Sequence, residues 1–201
     1  MYKLSQNEYE NIVFLTKCVY YDLPYPIALF GYQQSVVLLS GLRMNLFIGK
    51  TFDLIVICGS NQKRDWVANG KVALGITPHQ YQQALKRILQ HYSTMDKEKQ
   101  LIISGHSLGG GIAEYCTSFM AEDVTCITFN GCPVRHLCNN KTSDNIINIV
   151  SQHDLLNNLC KILPGKNYME HLGKVIIVSD KYMIPSVKSH CDFNSFMNYL
   201  I

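Results

Sequence analysis

A short segment near the middle of the chain, Leu101–Gly111, constrains the fold more than any other stretch. It opens with the apolar run Leu101–Ile103, passes through Gly-His-Ser-Leu-Gly and continues into Ile112–Cys116, which has helical character. A strand, a sharp turn carrying a serine, and a helix form the setting of a nucleophilic serine. Glycine suits both flanks of the serine, because the turn is tight and the new helix packs close to the strand. The pattern predicts Ser107 as a nucleophile and the N–H of Leu108 as an oxyanion donor, with a structural glycine-rich turn as the alternative.

Length and composition limit the class of protein. The 201 residues are expected to form a single domain, residues 1–201, with a substantial core. Hydrophobic residues make up 47% and charged residues 16%, which is typical of a globular chain. The net charge is +3 without any basic run, so we expect no nucleic-acid partner, whereas peripheral contact with an anionic membrane surface fits this charge. No apolar run reaches the length of about eighteen residues that a transmembrane helix needs.

The eight cysteines indicate a reducing compartment. Cys58, Cys116 and Cys126 fall inside apolar runs, where cysteine behaves as a small hydrophobic residue. No Cys-x-x-Cys pair occurs, and we expect neither a metal nor an organic cofactor. The polar N-terminal residues predict no signal peptide, so the expected location is cytoplasmic, and delivery as an effector or as a viral product is also allowed.

Helix and strand patterns alternate along the chain. Ser5 and Glu8 form a capping box before a predicted helix over 6–20, and a second helix is predicted over 78–93. This alternation predicts an α/β fold with a mostly parallel central sheet flanked by helices and a site at the carboxyl ends of the strands. The remaining predictions are a hairpin over 34–49, strands over 52–58, 124–129, 146–150 and 175–178, an irregular stretch over 158–172, and a final helix after His190.

A nucleophilic serine needs a base, and the base needs an orienting acid. Asp154 follows the predicted strand over 146–150 by a few residues and is the favoured acid. Asp144 precedes the same strand and therefore belongs at the opposite edge of the sheet. Asp180 follows the last strand and is the stronger rival.

His190 is the favoured base because it follows both the acid and the last strand. His171 precedes that strand, which puts it at the wrong end of the sheet. His153 is adjacent to the acid, and His106 is expected to be buried in the turn. Ser60, directly after the strand over 52–58, fits as the second oxyanion donor. The other histidines lie before the acid or on the surface: His79, His91 and His136.

Several segments together resemble the class 3 lipases, the α/β-hydrolase family that includes the fungal triacylglycerol lipases. The resemblance covers roughly residues 52–200. It implies a compact α/β-hydrolase-like fold with Ser107 as nucleophile, Asp154 as acid and His190 as base. It also implies Ser60 and Leu108 as oxyanion donors and Trp66 in a flap over the site, with a partly buried packing residue as the alternative for Trp66. The segments that carry it are Gly59-Ser60 with Asp65-Trp66, Gly105–Gly110, Thr128–Pro133, Ile149–Asp154, His171–Gly173, and Ser189-His190 with Phe193.

Two positions depart from the family pattern. Cys58 stands where an arginine often precedes the oxyanion-loop glycine, and Asn130 replaces a small residue. The chain is also shorter than is usual in the family, which leaves less material for a lid and an acyl pocket.

The predicted function is that of a serine hydrolase cleaving carboxylic esters, with lipid or phospholipid acyl esters as favoured substrates. An acyltransferase or a thioesterase would use the same triad with another acceptor. A catalytically silent module of the same fold, binding a lipid or a protein, is the alternative of a different class.

Overall fold

The computed structural model describes residues 4–24, 33–39, 42–59, 77–139, 144–162 and 170–197. Within these ranges, seven strands form one sheet. The strands are β1 (Gln33–Leu39), β2 (Leu42–Ile48), β3 (Phe52–Ile57), β4 (Gln100–His106), β5 (Thr125–Phe129), β6 (Ile146–Ser151) and β7 (Lys174–Val178). The helices are α1 (Gln6–Tyr21), α2 (His79–Thr94), α3 (Leu108–Ser118), α4 (Leu155–Ile162), α5 (Val187–His190) and α6 (Asn194–Met197), with a 3-10 helix over Arg135–Leu137.

The strands follow one another in the sheet in chain order. β1, β2 and β3 pair antiparallel, and the predicted hairpin is confirmed by the pairing of Gln33 with Ile48 and of Leu39 with Leu42. β3 to β7 are all parallel. The carboxyl ends of β3, β4, β5 and β6 therefore share one edge, and the segments that follow them meet there.

The predicted capping box begins α1. The hydroxyl of Ser5 accepts from the N–H of Glu8 at 3.3 Å, and the Glu8 carboxylate accepts from the N–H of Ser5 at 2.8 Å. The predicted helix over 6–20 is confirmed and runs one residue further, to Tyr21. Asp22 ends it in the left-handed conformation, with φ 57°.

Each face of the sheet carries its own apolar core. Ile55 and Ile57 of β3 belong to the core that includes α2 and α3, whereas Leu54 and Val56 belong to the core that includes α1 and α6. All six residues of β3 are buried, which is the burial predicted for a continuous apolar strand. Two packed faces hold the central strands rigidly and so fix the edge where their carboxyl ends meet.

Two local predictions are wrong. The stretch over 158–172 was expected to be irregular, but α4 extends to Ile162. The cause is a helix cap that the sequence analysis missed, since the Asp154 carboxylate accepts from the N–H of Asn157 at 2.7 Å. The segment with His190 was expected to be a loop before the final helix, but His190 ends α5; the final helix after it is confirmed as α6. Within the described ranges, each helix is too short or too polar to cross a bilayer.

Candidate active site

Ser107 lies at the turn between β4 and α3 in a strained backbone conformation. Its φ is 57° and its ψ is −127°, values that a residue with a side chain rarely adopts. Backbone hydrogen bonds hold it there. Its N–H donates to Phe129 at 3.3 Å, and its carbonyl accepts from Gly111 at 3.2 Å and from Cys132 at 3.0 Å. The turn therefore presents the Ser107 side chain from a fixed position at the edge of the sheet.

The first turn of α3 passes very close to the strands beneath it. A Cβ on Gly105 would lie 2.4 Å from the carbonyl oxygen of Gly109, and a Cβ on Gly109 would lie 2.2 Å from that of Ile57. Both glycines of the motif are thus required by backbone contact. The close approach brings the N–H of Leu108 to the same edge as Ser107, in a helical turn whose N–H groups have no partner within the helix.

Gly59 brings the loop after β3 against the turn that carries Ser107 between β4 and α3, which we call the elbow. Its ideal Cβ position is 2.6 Å from the carbonyl oxygen of His106 and 3.2 Å from Cβ of Ser107. The predicted oxyanion donor Ser60 and the predicted flap residue Trp66 both lie outside the described residues.

An arginine approaches this loop from the neighbouring strand. Nη2 of Arg43 in β2 lies 3.5 Å from Sγ of Cys58 and donates to the carbonyl of Val19, and Nη1 pairs with Asp22. The guanidinium thus sits at the C-terminal end of α1, where positive charge is favourable. Cys58 replaces the arginine expected from the family resemblance, and Arg43 supplies a guanidinium beside it.

The structure brings Asp154 and His190 into direct contact. Asp154 is fully buried, and its Oδ2 accepts from Nδ1 of His190. Burial raises the pKa of Asp154, but the hydrogen bond and charge of His190, together with two N–H groups of Asn157, outweigh it and hold the pKa below its ordinary value. Because Nδ1 carries the proton toward the carboxylate, Nε2 is the ring nitrogen left to act as a base.

Among the described residues, no hydrogen bond joins the side chains of Ser107 and His190, and the contact that links the two segments is made by the residue before Ser107. The ring of His106, next to Ser107 in the chain, has its centroid 4.8 Å from that of His190. Catalytic hydrogen bonds are often long before substrate binds, so this arrangement is compatible with the predicted pair.

Two side chains hold the backbone of His190. Nε2 of His106 donates to the His190 carbonyl at 2.7 Å, and Nδ2 of Asn130 donates to the same oxygen at 2.9 Å. Burial, reinforced by the positive charge of His190, lowers the pKa of His106 to about 3, so this ring stays neutral and its single N–H is the Nε2–H that donates to the carbonyl. Asn130, noted above as a departure from the family pattern, has φ 45° and fixes the segment that carries the predicted base.

The carboxylate of Asp180, the rival acid, accepts hydrogen bonds from residues other than the ring of His190. Its carboxylate accepts from the backbone N–H of His153 at 3.0 Å, from Nδ1 of that ring at 2.9 Å and from the Ser189 hydroxyl at 2.6 Å. Burial raises the pKa of Asp180, but these hydrogen bonds outweigh it and hold the pKa below its ordinary value. Asp180 therefore joins the residue before Asp154 to the residue before His190.

Asp180→Asn is expected to lower the free energy of unfolding at neutral pH and to have less effect in acid. The folded-state pKa lies below the ordinary 3.8, so the charged carboxylate stabilises the fold above that pH. The contribution is lost as the pH falls through 3.8 toward the lower folded-state pKa. Urea unfolding of both proteins from about pH 7 to about pH 3 measures the difference. A difference that stays constant across this range would contradict the assignment.

A buried hydrogen-bond network extends from Asp154 to a second acid–histidine pair. Nδ2 of Asn157 donates to Oδ1 of Asp154 at 2.8 Å, and Oδ1 of Asn157 is 2.8 Å from Nε2 of His171. Nδ1 of His171 is in turn 2.8 Å from Oε2 of Glu114, which is fully buried in α3. Since the amide oxygen of Asn157 can only accept, Nε2 of His171 donates, and one proton is held between His171 and Glu114.

His171 was expected at the wrong end of the sheet for catalysis. It does not contact Asp154 directly, yet it orients Asn157, which does. The contact between Asp154 and Asn157 could have been predicted from the sequence. Asp154 is a residue type that caps helices, and the third residue of a helix faces the cap. Glu114 and His171 lie far apart in the sequence, and no pattern joins them.

Asn157→Ala is expected to lower kcat by about tenfold with little change in KM, because a lost hydrogen bond to a buried charge costs about 1–3 kcal/mol. Steady-state kinetics on a soluble ester, with thermal unfolding as a check of the fold, measure it. The matched control is Asn158→Ala, since that amide donates to the carbonyls of Gln152 and Asp154 and not to the carboxylate. Equal losses in the two variants would show that the Asn157 side chain does not position Asp154.

No group of three or more His, Cys, Asp or Glu side chains converges as a metal site in the described ranges. His91, for example, pairs with a single carboxylate, since its Nε2 lies 3.1 Å from Oδ2 of Asp53.

Comparison with known proteins identifies the family. The family model described as "Phospholipase-like: Tle-like phospholipase domain" matches residues 33–144, which is more than half of the chain. The extracellular phospholipase A1 of Serratia liquefaciens is 32% identical over 95 residues, which are 47% of this chain and 28% of that relative. The chain thus spans less than a third of the length of this relative.

Solved structures share the fold. A mutant form of MDLA from Penicillium cyclopium has a TM-score of 0.60 and 12% identity, covering 93% of this chain and 86% of that one. Lipase II from Rhizopus niveus has a TM-score of 0.53 and 12% identity, covering 90% and 82%. The α/β-hydrolase-like fold expected from the sequence is confirmed by these two likenesses. Together with the match of the family model over more than half of the chain, they lead to one conclusion: the chain belongs to the Tle-like phospholipase domain family.

Proposed function

We propose that this protein hydrolyses carboxylic esters of lipids with Ser107 as nucleophile, His190 as base and Asp154 as orienting acid. The observation that carries the proposal is the contact of His190 Nδ1 with Asp154 Oδ2, at the sheet edge where a strained elbow presents Ser107. No other carboxylate among the described residues hydrogen-bonds the ring of His190. The rival acid, Asp180, binds His153 and Ser189 instead.

The mechanism follows from these positions. Nε2 of His190 removes the proton of Ser107 as Oγ attacks the ester carbonyl, and Asp154 stabilises the resulting imidazolium. The N–H of Leu108 donates to the oxyanion, and the N–H of Ser60 is the second donor that we propose from the sequence pattern. When the tetrahedral intermediate collapses, His190 returns the proton to the leaving alcohol. Water then enters, loses a proton to His190, and releases the acid from the acyl-enzyme.

The proposed substrates are phospholipid acyl esters. The family model is named for phospholipases, and the Serratia relative is named a phospholipase A1. Such substrates lie in membranes, so the proposal includes peripheral contact of the protein with a lipid surface.

The proposed site of action is a reducing compartment. All eight cysteines are free thiols, and six of them have a pKa raised primarily by burial: Cys18, Cys116, Cys126, Cys132, Cys138 and Cys160. This supports the cytoplasm, either of the producing cell or of a cell that receives the protein as an effector. The name of the Serratia relative, an extracellular enzyme, supports the second route.

Labelling with a fluorophosphonate tests the triad. Wild type is expected to be modified at Ser107, which peptide mapping identifies, and both Ser107→Ala and His190→Ala are expected to lose the label. Ser93→Ala, at an exposed hydroxyl on α2, is the control for serine replacement. Unlabelled wild-type protein that is folded by circular dichroism would overturn the proposal in favour of a catalytically silent binding module.

A further inference from the structure

An exposed apolar loop lies directly before the predicted base. We call residues 181–188 the apolar loop; it follows Asp180 and ends inside α5, next to Ser189 and His190. Three of its large side chains are exposed, Met183 at 93%, Ile184 at 71% and Val187 at 64%. These are the three highest exposures among the large hydrophobic residues described. Clustered exposure of this kind on a soluble surface indicates a binding site.

Positive charge flanks these side chains. Lys181 and Lys188 stand at the two ends of the loop, both exposed, and no acidic residue lies between them. The carboxylate of Asp180, just before the loop, is turned inward onto His153 and Ser189. The loop therefore presents apolar side chains between two cations.

The base of the loop is held firmly. The N–H of Tyr182 donates to Oδ1 of Asp180 at 2.9 Å, and the Ser189 hydroxyl donates to Oδ2 of the same carboxylate at 2.6 Å. The N–H of Ser186 donates to the carbonyl of His153 at 3.2 Å. Because one carboxylate closes the loop and also binds the residue before Asp154, the loop and the predicted acid share one rigid support.

We propose that the apolar loop docks this protein onto an anionic phospholipid bilayer. Met183, Ile184 and Val187 enter the boundary between headgroups and acyl chains, and Lys181 and Lys188 pair with lipid phosphates. Exposed apolar side chains flanked by two cations fit an anionic bilayer, where the apolar groups leave water for the lipid while the flanking cations remain at the level of the phosphates. The inference deepens the proposed function, since docking here sets His190 and Ser107 close to the lipid.

Binding to vesicles of ether-linked phosphatidylglycerol tests the proposal without hydrolysis of an acyl ester. Sedimentation is expected to show wild type bound to these vesicles and bound more weakly to ether-linked phosphatidylcholine. Ile184→Ser is expected to weaken binding by roughly tenfold and Met183→Ser/Ile184→Ser by more, since each apolar side chain that leaves water for the lipid strengthens binding. Lys181→Gln/Lys188→Gln is expected to weaken binding to phosphatidylglycerol alone, by roughly fivefold per lysine.

Leu89→Ser is the matched control, because Leu89 is 42% exposed on α2, away from the apolar loop. Thermal unfolding establishes that each variant is folded. If the loop variants bind as tightly as Leu89→Ser, or if wild type does not bind vesicles at all, the proposal is wrong. The result is independent of the catalytic proposal: failed labelling of Ser107 with loop-dependent binding overturns only the hydrolase, and labelling with loop-independent binding overturns only the docking surface.

Discussion

Asp154→Asn is expected to lower kcat for a soluble ester by about four orders of magnitude while the protein stays folded. Oδ1 of Asp154 accepts from the N–H of Asn157 at 2.7 Å and from its Nδ2 at 2.8 Å, so in the variant the amide oxygen is required on that side. The amide nitrogen then replaces Oδ2 and faces Nδ1 of His190. An amide nitrogen only donates, so Nδ1 must accept and the proton moves to Nε2. A ring protonated at Nε2 cannot take the proton of Ser107.

The matched control is Asp180→Asn, which alters the other carboxylate that follows a strand. Its hydrogen bonds go to His153, Tyr182 and Ser189 and none goes to the His190 ring, so we expect kcat to fall by less than about tenfold. Steady-state kinetics of both variants, with circular dichroism to check the fold, decide between the two acids. If Asp180→Asn has the larger effect on kcat, the assignment of Asp154 is wrong.

The elbow was readable in the sequence because its signal is local. Apolar letters, Gly-His-Ser-Leu-Gly and a helical pattern lie within one segment, and the structure places Ser107 at a turn between β4 and α3. The parallel sheet was readable for the same reason, since buried strands such as β3 are continuous apolar runs.

The choice between Asp154 and Asp180 depended on tertiary contacts. Both residues follow strands, and only the packing of α5 against α4 brings His190 to one of them. The support of Asp154 was readable only in part. Asn157 lies three residues further along the chain and belongs to the helix cap, which is a local pattern. The bonds from Asn157 to His171 before β7, and from His171 to Glu114 in α3, join residues whose proximity depends on the order of strands in the sheet.

Gly109→Ala is expected to lower the free energy of unfolding by about 3 kcal/mol or more, which is a decrease of roughly 6–12 °C in Tm for a chain of this size. An added Cβ would lie 2.2 Å from the carbonyl oxygen of Ile57 and 2.9 Å from both the carbonyl carbon and oxygen of Cys58. All three are backbone atoms, so no side-chain rotation relieves the contact, and either α3 or the end of β3 must move.

The same movement is expected to abolish labelling of Ser107, because the displaced strand end leads into Gly59, which lies against the elbow. Gly131→Ala is the control: its nearest contact is the side-chain oxygen of Thr128 at 3.1 Å, and we expect a loss of only about 1 kcal/mol. Thermal and urea unfolding measure both variants. If Gly109→Ala unfolds at the wild-type midpoint and still takes the label, then α3 does not cross β3 as closely as the structure has it. The glycine after the serine would in that case serve the turn and not the packing of the helix.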